Sequence, residues 1–378
     1  MKIKKIKLLK ALAMTGAFGI VATVPVIVSS CSSTSDNNTG GDNNGGGNTQ
    51  NQTISTQLRS SVTLSGALSN IYNPTSGSNT NTLLAAQIKS NLNSVFENGE
   101  ALANVDDLEI TVNGNFPTTS EWTGTTAFAG NNGWNATQGL TDVLYDWNTA
   151  ALNISSLNDL KTQLTSEKIT SIITEASSAP ASGTVFTVVE NSALGLTNNA
   201  DSIDANASRD LLHIHVTGTE GSNTTNYDLQ IPVSDLNLVV SDLTVTVTGT
   251  NVEQTGSTTT NFTYNIGINE TANFVQPTQA PSINSADTNG DGNKALVALG
   301  YANESDGNYT LNNEAISAGI GVYNSEFSNP TIAATQGGSS NQFTITLSAT
   351  PKEGYVWEDG TRDAKSISFP VTFTVTTA

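Results

Sequence analysis

After Pro180 the apolar residues of this 378-residue chain stop recurring at helical intervals and recur instead at every second position. Residues 184–190, 211–217, 227–233, 242–248, 261–268, 342–349 and 366–376 all alternate this way and are rich in Thr and Val. A strand turns successive side chains to opposite faces, so these segments bury one face and wet the other, as antiparallel sheets do. β-Branched residues suit such a half-buried surface. The fold class expected is α+β to mainly β: antiparallel Thr/Val-rich sheets with a few amphipathic helices, after a signal peptide and a disordered tether.

The helices come first. Leu84, Ile88, Leu92 and Val95/Phe96 stand at helical spacing, with Asn81 or Thr82 as cap and Asn98-Gly99 as stop. Leu157, Leu160, Leu164, Ile169, Ile172, Ile173 and Ala176 mark one or two more before Pro180. Residues 107–114 alternate and end at Asn-Gly, which reads as a strand. Short helices are expected near 294–300 and 312–318.

The N-terminus is of another kind. Lys2, Lys4, Lys5, Lys7 and Lys10 precede a largely apolar run over 11–28, broken by Gly16, Gly19 and Pro25. Ser29 and Ser30 then lead to Cys31, the single cysteine. Small residues there suit a processing site better than a permanent membrane helix. Val28-Ser-Ser-Cys31 resembles the lipobox of bacterial lipoproteins. That resemblance implies removal of residues 1–30 and a diacylated, palmitate-type anchor on Cys31, its partner being the lipid bilayer. Two acyl chains at about 0.8 kcal/mol per buried methylene hold a protein stably, whereas one is marginal. From 31 to 52 the chain is Ser, Thr, Asn, Asp, Gly and Gln after the cysteine. Such a segment has too little apolar area to offset ordering, and its root-mean-square reach is roughly 25 Å.

Loss of the leader removes five of fourteen basic residues and no acid, leaving nine against thirty-three and a net charge of −24. Nucleic acid and anionic surfaces would be repelled. Both methionines, Met1 and Met14, leave with the leader. No disulfide can form, so stability rests on burial. Residues 276–293, with two prolines and several turn residues, divide an α+β domain over 53–275 from a smaller β-rich domain over 276–378. Val105–Gly114 and Val240–Gly249 match at six of ten positions, and each lies downstream of a T-Q-L-x-S. Duplication of a helix-then-strand unit would explain this, as would chance in a Thr/Val-rich chain.

Chemistry is thinly marked. Asp287, Asn289, Asp291 and Gly292 follow an EF-hand calcium loop, but its twelfth position, normally a bidentate Glu, is Ala298. The plainer reading is a polar turn capping the next helix. His213 and His215, the only histidines, would share one strand face as metal ligands do, although no third ligand is marked nearby. Two histidines on a wetted face is the plainer reading, and no metal or other cofactor is expected. Trp122, Trp134 and Trp147 gather with Phe128 and Tyr145 among Gly, Asn and Thr. These could stack on pyranose rings, but large aromatics more simply form the core of a loop-rich segment. No nucleophile elbow, unmodified cysteine or phosphate loop is present, and no carboxylate pair is singled out, so no enzyme is expected.

The leader through Asn38 and the C-terminal T-P-K-E-G-Y-V-W-E-D-G-T-R-D-A-K-S-I-S-F-P-V-T-F-T-V-T are similar to the major surface lipoprotein antigens of Mycoplasma penetrans, a paralogous, variably expressed set of mollicute membrane lipoproteins. The resemblance implies display on the outer face of the cell membrane of a wall-less cell and recognition by host antibodies. A coat or display role follows, extending to immune evasion by variable expression and to adhesion to host glycan or matrix protein. The alternatives are a carbohydrate-binding adhesin and the solute-binding lipoprotein of a transporter, which would alternate β and α over two lobes. Within the C-terminal signature, Tyr355 and Trp357 alternate as on a strand, Asp359-Gly360 suits a hairpin turn, and Pro370 belongs at an edge or bulge.

Overall fold

A computed structural model describes residues 53–71, 80–114, 141–144, 151–176, 179–189, 194–197 and 211–377. The proposed leader and tether lie outside them. The described residues form three main sheets with short helices against them, around two apolar cores.

The helical pattern over 81–96 becomes Thr80–Ser90 and Leu92–Val95, which bury Leu84, Ile88, Leu92 and Val95. Phe96 leaves the helix to bridge with Leu58. Asn98-Gly99 is not a stop: Gly99 opens a further helix, Gly99–Ala103. A Cβ on Gly99 would lie 2.5 Å from the backbone of Leu92, so only a bare backbone lets the two turns meet. These helices cover a sheet ordered Ser61–Gly66, Thr259–Ile266, Leu236–Thr248, Glu109–Asn113, with Leu152–Ile154 beside the start of Leu236–Thr248.

The two similar decapeptides meet in this sheet, Glu109–Asn113 running antiparallel to residues 244–248 with Thr111 opposite Thr246. The T-Q-L matches do not share a structure. Thr56 ends a strand, whereas Thr162 lies in the helix Leu157–Gln163.

A second sheet orders Thr141–Leu144, Asn223–Pro232, Leu211–Glu220 and Val185–Val188, with Leu194–Thr197 also along Leu211–Glu220. Val143, Leu229, Ile214 and Val216 share its core face. Ile169, Ile172 and Ile173 of the helix Ser166–Ala176 join the same core, and Ser166 Oγ accepts from Phe186 N–H at 2.9 Å. The run before Pro180 is thus two helices, the first capped by Ser156, whose Oγ accepts from Asp159 N–H at 3.1 Å.

The third sheet, Gly290–Asp291, Ser325–Ala334, Gln342–Pro351 and Lys365–Thr372, is antiparallel throughout. Phe343, Ile345, Leu347, Ile367 and Phe369 form the second core with the helices Asn293–Ala298 and Asn313–Ile320. Asn312 caps the latter, its Oδ1 accepting from Ala315 N–H at 3.1 Å. Pro370 stands on the edge strand opposite Thr344, where its missing N–H breaks no ladder. The strand Ser325–Ala334 escapes a reading by alternation because Asn329, at φ +50°, and Pro330 interrupt it at a register shift.

The outer face of the third sheet is uncharged across its three long strands in two rows, Ser328–Ser348–Ser366 and Thr331–Thr346–Ser368, with Thr346 Oγ1 and Ser368 Oγ 2.7 Å apart; on the short fourth strand Asp291 stands opposite Thr331. Antiparallel pairing dominates as expected, but segments from distant parts of the chain join in parallel. Ser61–Gly66 lies beside Thr259–Ile266 in this way, and Ser282–Asn284 beside Thr374–Thr376.

The two cores change over at Gly267, between Ile266 of the first and Ile268 of the second. A Cβ there would lie 2.5 Å from Trp357 O. The following residue exchanges backbone bonds with the C-terminal signature, Ile268 N–H to Val356 O at 2.8 Å and Glu358 N–H to Ile268 O at 3.2 Å.

Candidate functional site

Cys31, Trp122, Trp134 and Trp147 lie outside the described residues. Among the described residues no helix is long and apolar enough to cross a membrane.

The EF-hand-like loop does not converge on a cation. Asp287 is paired with Lys294 at 3.1 Å, and this partner raises the lysine's pKa. Asp291 Oδ1 accepts from both the backbone N–H and the side-chain amide of Asn293, each at 2.8 Å. Residues 290 and 291 are meanwhile bound into a sheet against Thr331 and Ile332. Each acid is turned to a neighbour and away from a common centre, which is the geometry of a polar turn leading into the helix Asn293–Ala298. An open groove of about 510 Å³ runs alongside, lined in part by Asp291, Asn293, Phe327, Asn329 and Pro330.

Strand alternation does put residues 213 and 215 on one face of the second sheet, opposite the apolar face. That face is not simply wetted. His215 is half-buried, and Asp228, directly across from it, is buried. Asp228 Oδ2 accepts from Gln230 Nε2 at 2.8 Å, and His215 Nε2 lies 3.3 Å from Asn226 Oδ1.

In the C-terminal signature, Tyr355 and Trp357 are not on a strand. Residues 352–364 form turns, with Trp357 in an isolated parallel bridge to Ile268. The strand Lys365–Thr372 returns along Gln342–Pro351. The alternation of Tyr355 and Trp357 is genuine, but it serves the seam between the cores: both rings are buried, and Trp357 Nε1 donates to Asp363 O at 2.7 Å. Asp359-Gly360 does form the expected tight turn, Gly360 N–H donating to Trp357 O at 2.8 Å.

Lys365 holds this turn down. Its ammonium pairs with Glu270 and, at 2.6 Å, with Asp359, and stands 5.6 Å from the Trp357 ring centroid. The lysine, with help from Thr361, pulls the Asp359 carboxyl down to about 2.

Sequence reasoning missed the residue with the most demanding environment, Asp235. The turn Val233–Asp235 carries the chain from the second sheet into the first, and Asp235 is fully buried. Its Oδ1 accepts from the Tyr355 hydroxyl and from Asn324 Nδ2, both at 2.9 Å. Asn324, at φ +56°, also donates to Ser234 Oγ at 2.7 Å and immediately precedes a strand of the third sheet. One carboxylate thus takes hydrogen bonds from the second core at the point where the other two sheets join. An acid before a hydrophobic strand carries no local signal of this.

The family model described as "M penetrans paralogue family 1" matches residues 55–375. Lipoprotein p33 of Malacoplasma penetrans is 46% identical over the whole of both chains. Lipoprotein p35 of Malacoplasma penetrans (strain HF-2) is 42% identical over 99% of this chain and all of its own. No solved structure matches. With a match spanning nearly the whole body and relatives similar from end to end, the chain belongs to M. penetrans paralogue family 1, a family of mollicute lipoproteins.

Proposed function

We propose that this lipoprotein is a surface-displayed coat component, anchored through an acylated Cys31 in the outer leaflet of the cell membrane, with the body from residue 53 facing outward. The observation that carries this reading is Val28-Ser-Ser-Cys31, placed between an apolar run and a polar tether in a chain whose full-length relatives are named lipoproteins. Two acyl chains would give stable anchoring, and the tether would lift the body clear of the headgroups. The net charge of −24 after processing favours solubility and disfavours anionic partners.

On this reading the chain performs no catalytic step. Its partners are host antibodies and, in an adhesive extension, a host glycan or matrix protein. The antiparallel third sheet supports the display reading over a transporter's solute-binding lipoprotein, which would alternate strands and helices through two lobes.

Two measurements on native cells test the proposal. Intact-mass analysis should find residues 1–30 gone and a diacyl mass on Cys31, and protease added to whole cells should release fragments of 53–377. A retained leader, an unmodified sulfur, or complete protection of the body until the cells are lysed would overturn it.

A further inference from the structure

The groove beside the third sheet is walled by short polar side chains. Asp291 ends the strand Gly290–Asp291, Asn293 opens the next helix, and Ser328, Asn329 and Thr331 come from the bulged part of Ser325–Ala334. Its volume of about 510 Å³ lies within the range of roughly 300–1,000 Å³ that ligand sites occupy. Asp291 Oδ1 is taken by Asn293, which leaves Oδ2 to accept from a ligand. Asn329, held at φ +50° by the bulge, is exposed along the same wall.

Apolar surface completes the groove. Leu311 lines it from the hairpin strand Asn308–Leu311, and Tyr309, two residues earlier, shares the face of that strand and is likewise half-buried. Loss of water contact first, then the charge of Glu304 and, more weakly, that of Asp291, raise the Tyr309 pKa. The ring therefore stands near the Asp291 end of the groove.

These features select among ligand classes. An extended peptide needs a free strand edge, yet Thr331 and Ile332 already pair with Gly290–Asp291, and Phe327 N–H donates to Asn313 Oδ1 at 3.0 Å. An anionic ligand meets Asp291 and a strongly acidic chain, and a cationic one finds a single carboxylate with one oxygen already spent. A neutral polyhydroxy ligand suits the walls better. Each of its hydroxyls donates and accepts, as the amides of Asn293 and Asn329 and the hydroxyls of Ser328 and Thr331 do between them. The C–H face of a pyranose packs against an aromatic ring such as Tyr309. Past Ser328 and Thr331 lie the uncharged positions Ser348 and Thr346, so a second sugar unit leaving the groove meets no charge there.

We infer that this groove binds a neutral oligosaccharide, with Asp291, Asn293, Asn329 and Thr331 taking its hydroxyls and Tyr309 packing on one pyranose face. The inference deepens the adhesive extension proposed above and rests on it only for the host origin of the glycan.

The test applies the full chain in detergent to an array of neutral oligosaccharides and their sialylated counterparts, with the bound sugars then titrated by calorimetry. Neutral glycans should bind and their sialylated counterparts should bind more weakly. Asp291→Ala and Tyr309→Ala should each lower affinity by about tenfold or more, while Tyr309→Phe, which keeps the ring, should stay within about threefold. Asn329→Gly is the control for folding, since glycine accepts the positive φ and only the amide is lost; it should weaken binding with an unchanged melting curve. Absence of binding to every neutral glycan, unchanged binding in the folded Asn329→Gly and Asp291→Ala variants, or capture of a basic peptide in place of sugar would overturn the site. Because binding is read on the purified chain, its failure leaves release of the body from whole cells untouched, and protection of the body on cells would leave a positive titration standing.

Discussion

The tetrapeptide Val-Ser-Asp-Leu occurs twice within eleven residues, at 233–236 and at 240–243, and its two copies have opposite fates. In the first, Val233–Asp235 is a buried turn, and Asp235 takes bonds from Tyr355 and Asn324. In the second, Ser241 and Asp242 are exposed at a register shift in the strand Leu236–Thr248. Both copies end in a fully buried leucine, Leu236 or Leu243. What differs is what lies across from the acid: residues about ninety and more positions downstream in the first case, water in the second. The same Ser-Asp pair is therefore bonded into the interior or left in solvent, according to partners that only the complete fold brings up.

Substitutions should widen that contrast in a graded way. Asp235→Ala leaves the Tyr355 hydroxyl and the Asn324 amide without their acceptor, each worth about 1–3 kcal/mol when buried, so we expect a loss of roughly 3 kcal/mol in urea unfolding. Because those bonds tie the second core to the turn between the other two sheets, separate probes should then report separate transitions. A single transition with unchanged midpoint would show that the carboxylate joins nothing. Asp235→Asn keeps an oxygen acceptor and should cost about 1 kcal/mol, the part due to charge-assisted bonding.

Asp359 lies between the extremes, half-exposed yet ion-paired. Lys365 depresses its folded pKa to about 2 from the ordinary 3.8, so its contribution is complete above about pH 4 and fades as pH falls toward 2. Lys365→Met should move the Asp359 titration midpoint, followed by NMR, back up toward 3.8. Asp242→Ala should change stability by no more than about 0.5 kcal/mol, because an exposed bulge residue gives up only solvent contacts.

What was legible in the sequence follows the same logic. Leu84, Ile88 and Leu92, or Ile169 and Ile173, announce helices because the spacing of buried residues is a local property. Strands such as Gln342–Pro351 show themselves by strict alternation. Ser61–Gly66 is just as regular in its burial, yet its parallel partner Thr259–Ile266 lies some two hundred residues away, and nothing nearby encodes that pairing. Ser325–Ala334 was hidden by Asn329-Pro330. At the histidine strand, the shared face of residues 213 and 215 could be read from spacing, whereas buried Asp228 across from His215 emerged only from register.

The hydroxyl rows on the third sheet carry a consequence of their own. Ser348 and Thr346 point away from a core held by Leu347 and Ile345, and period-two geometry keeps the two sets apart. Exchanging an outward residue for another small or β-branched one disturbs folding by a few tenths of a kcal/mol at most. A lineage pressed to change its appearance can therefore re-letter every second position of these strands while the interior stays as it is.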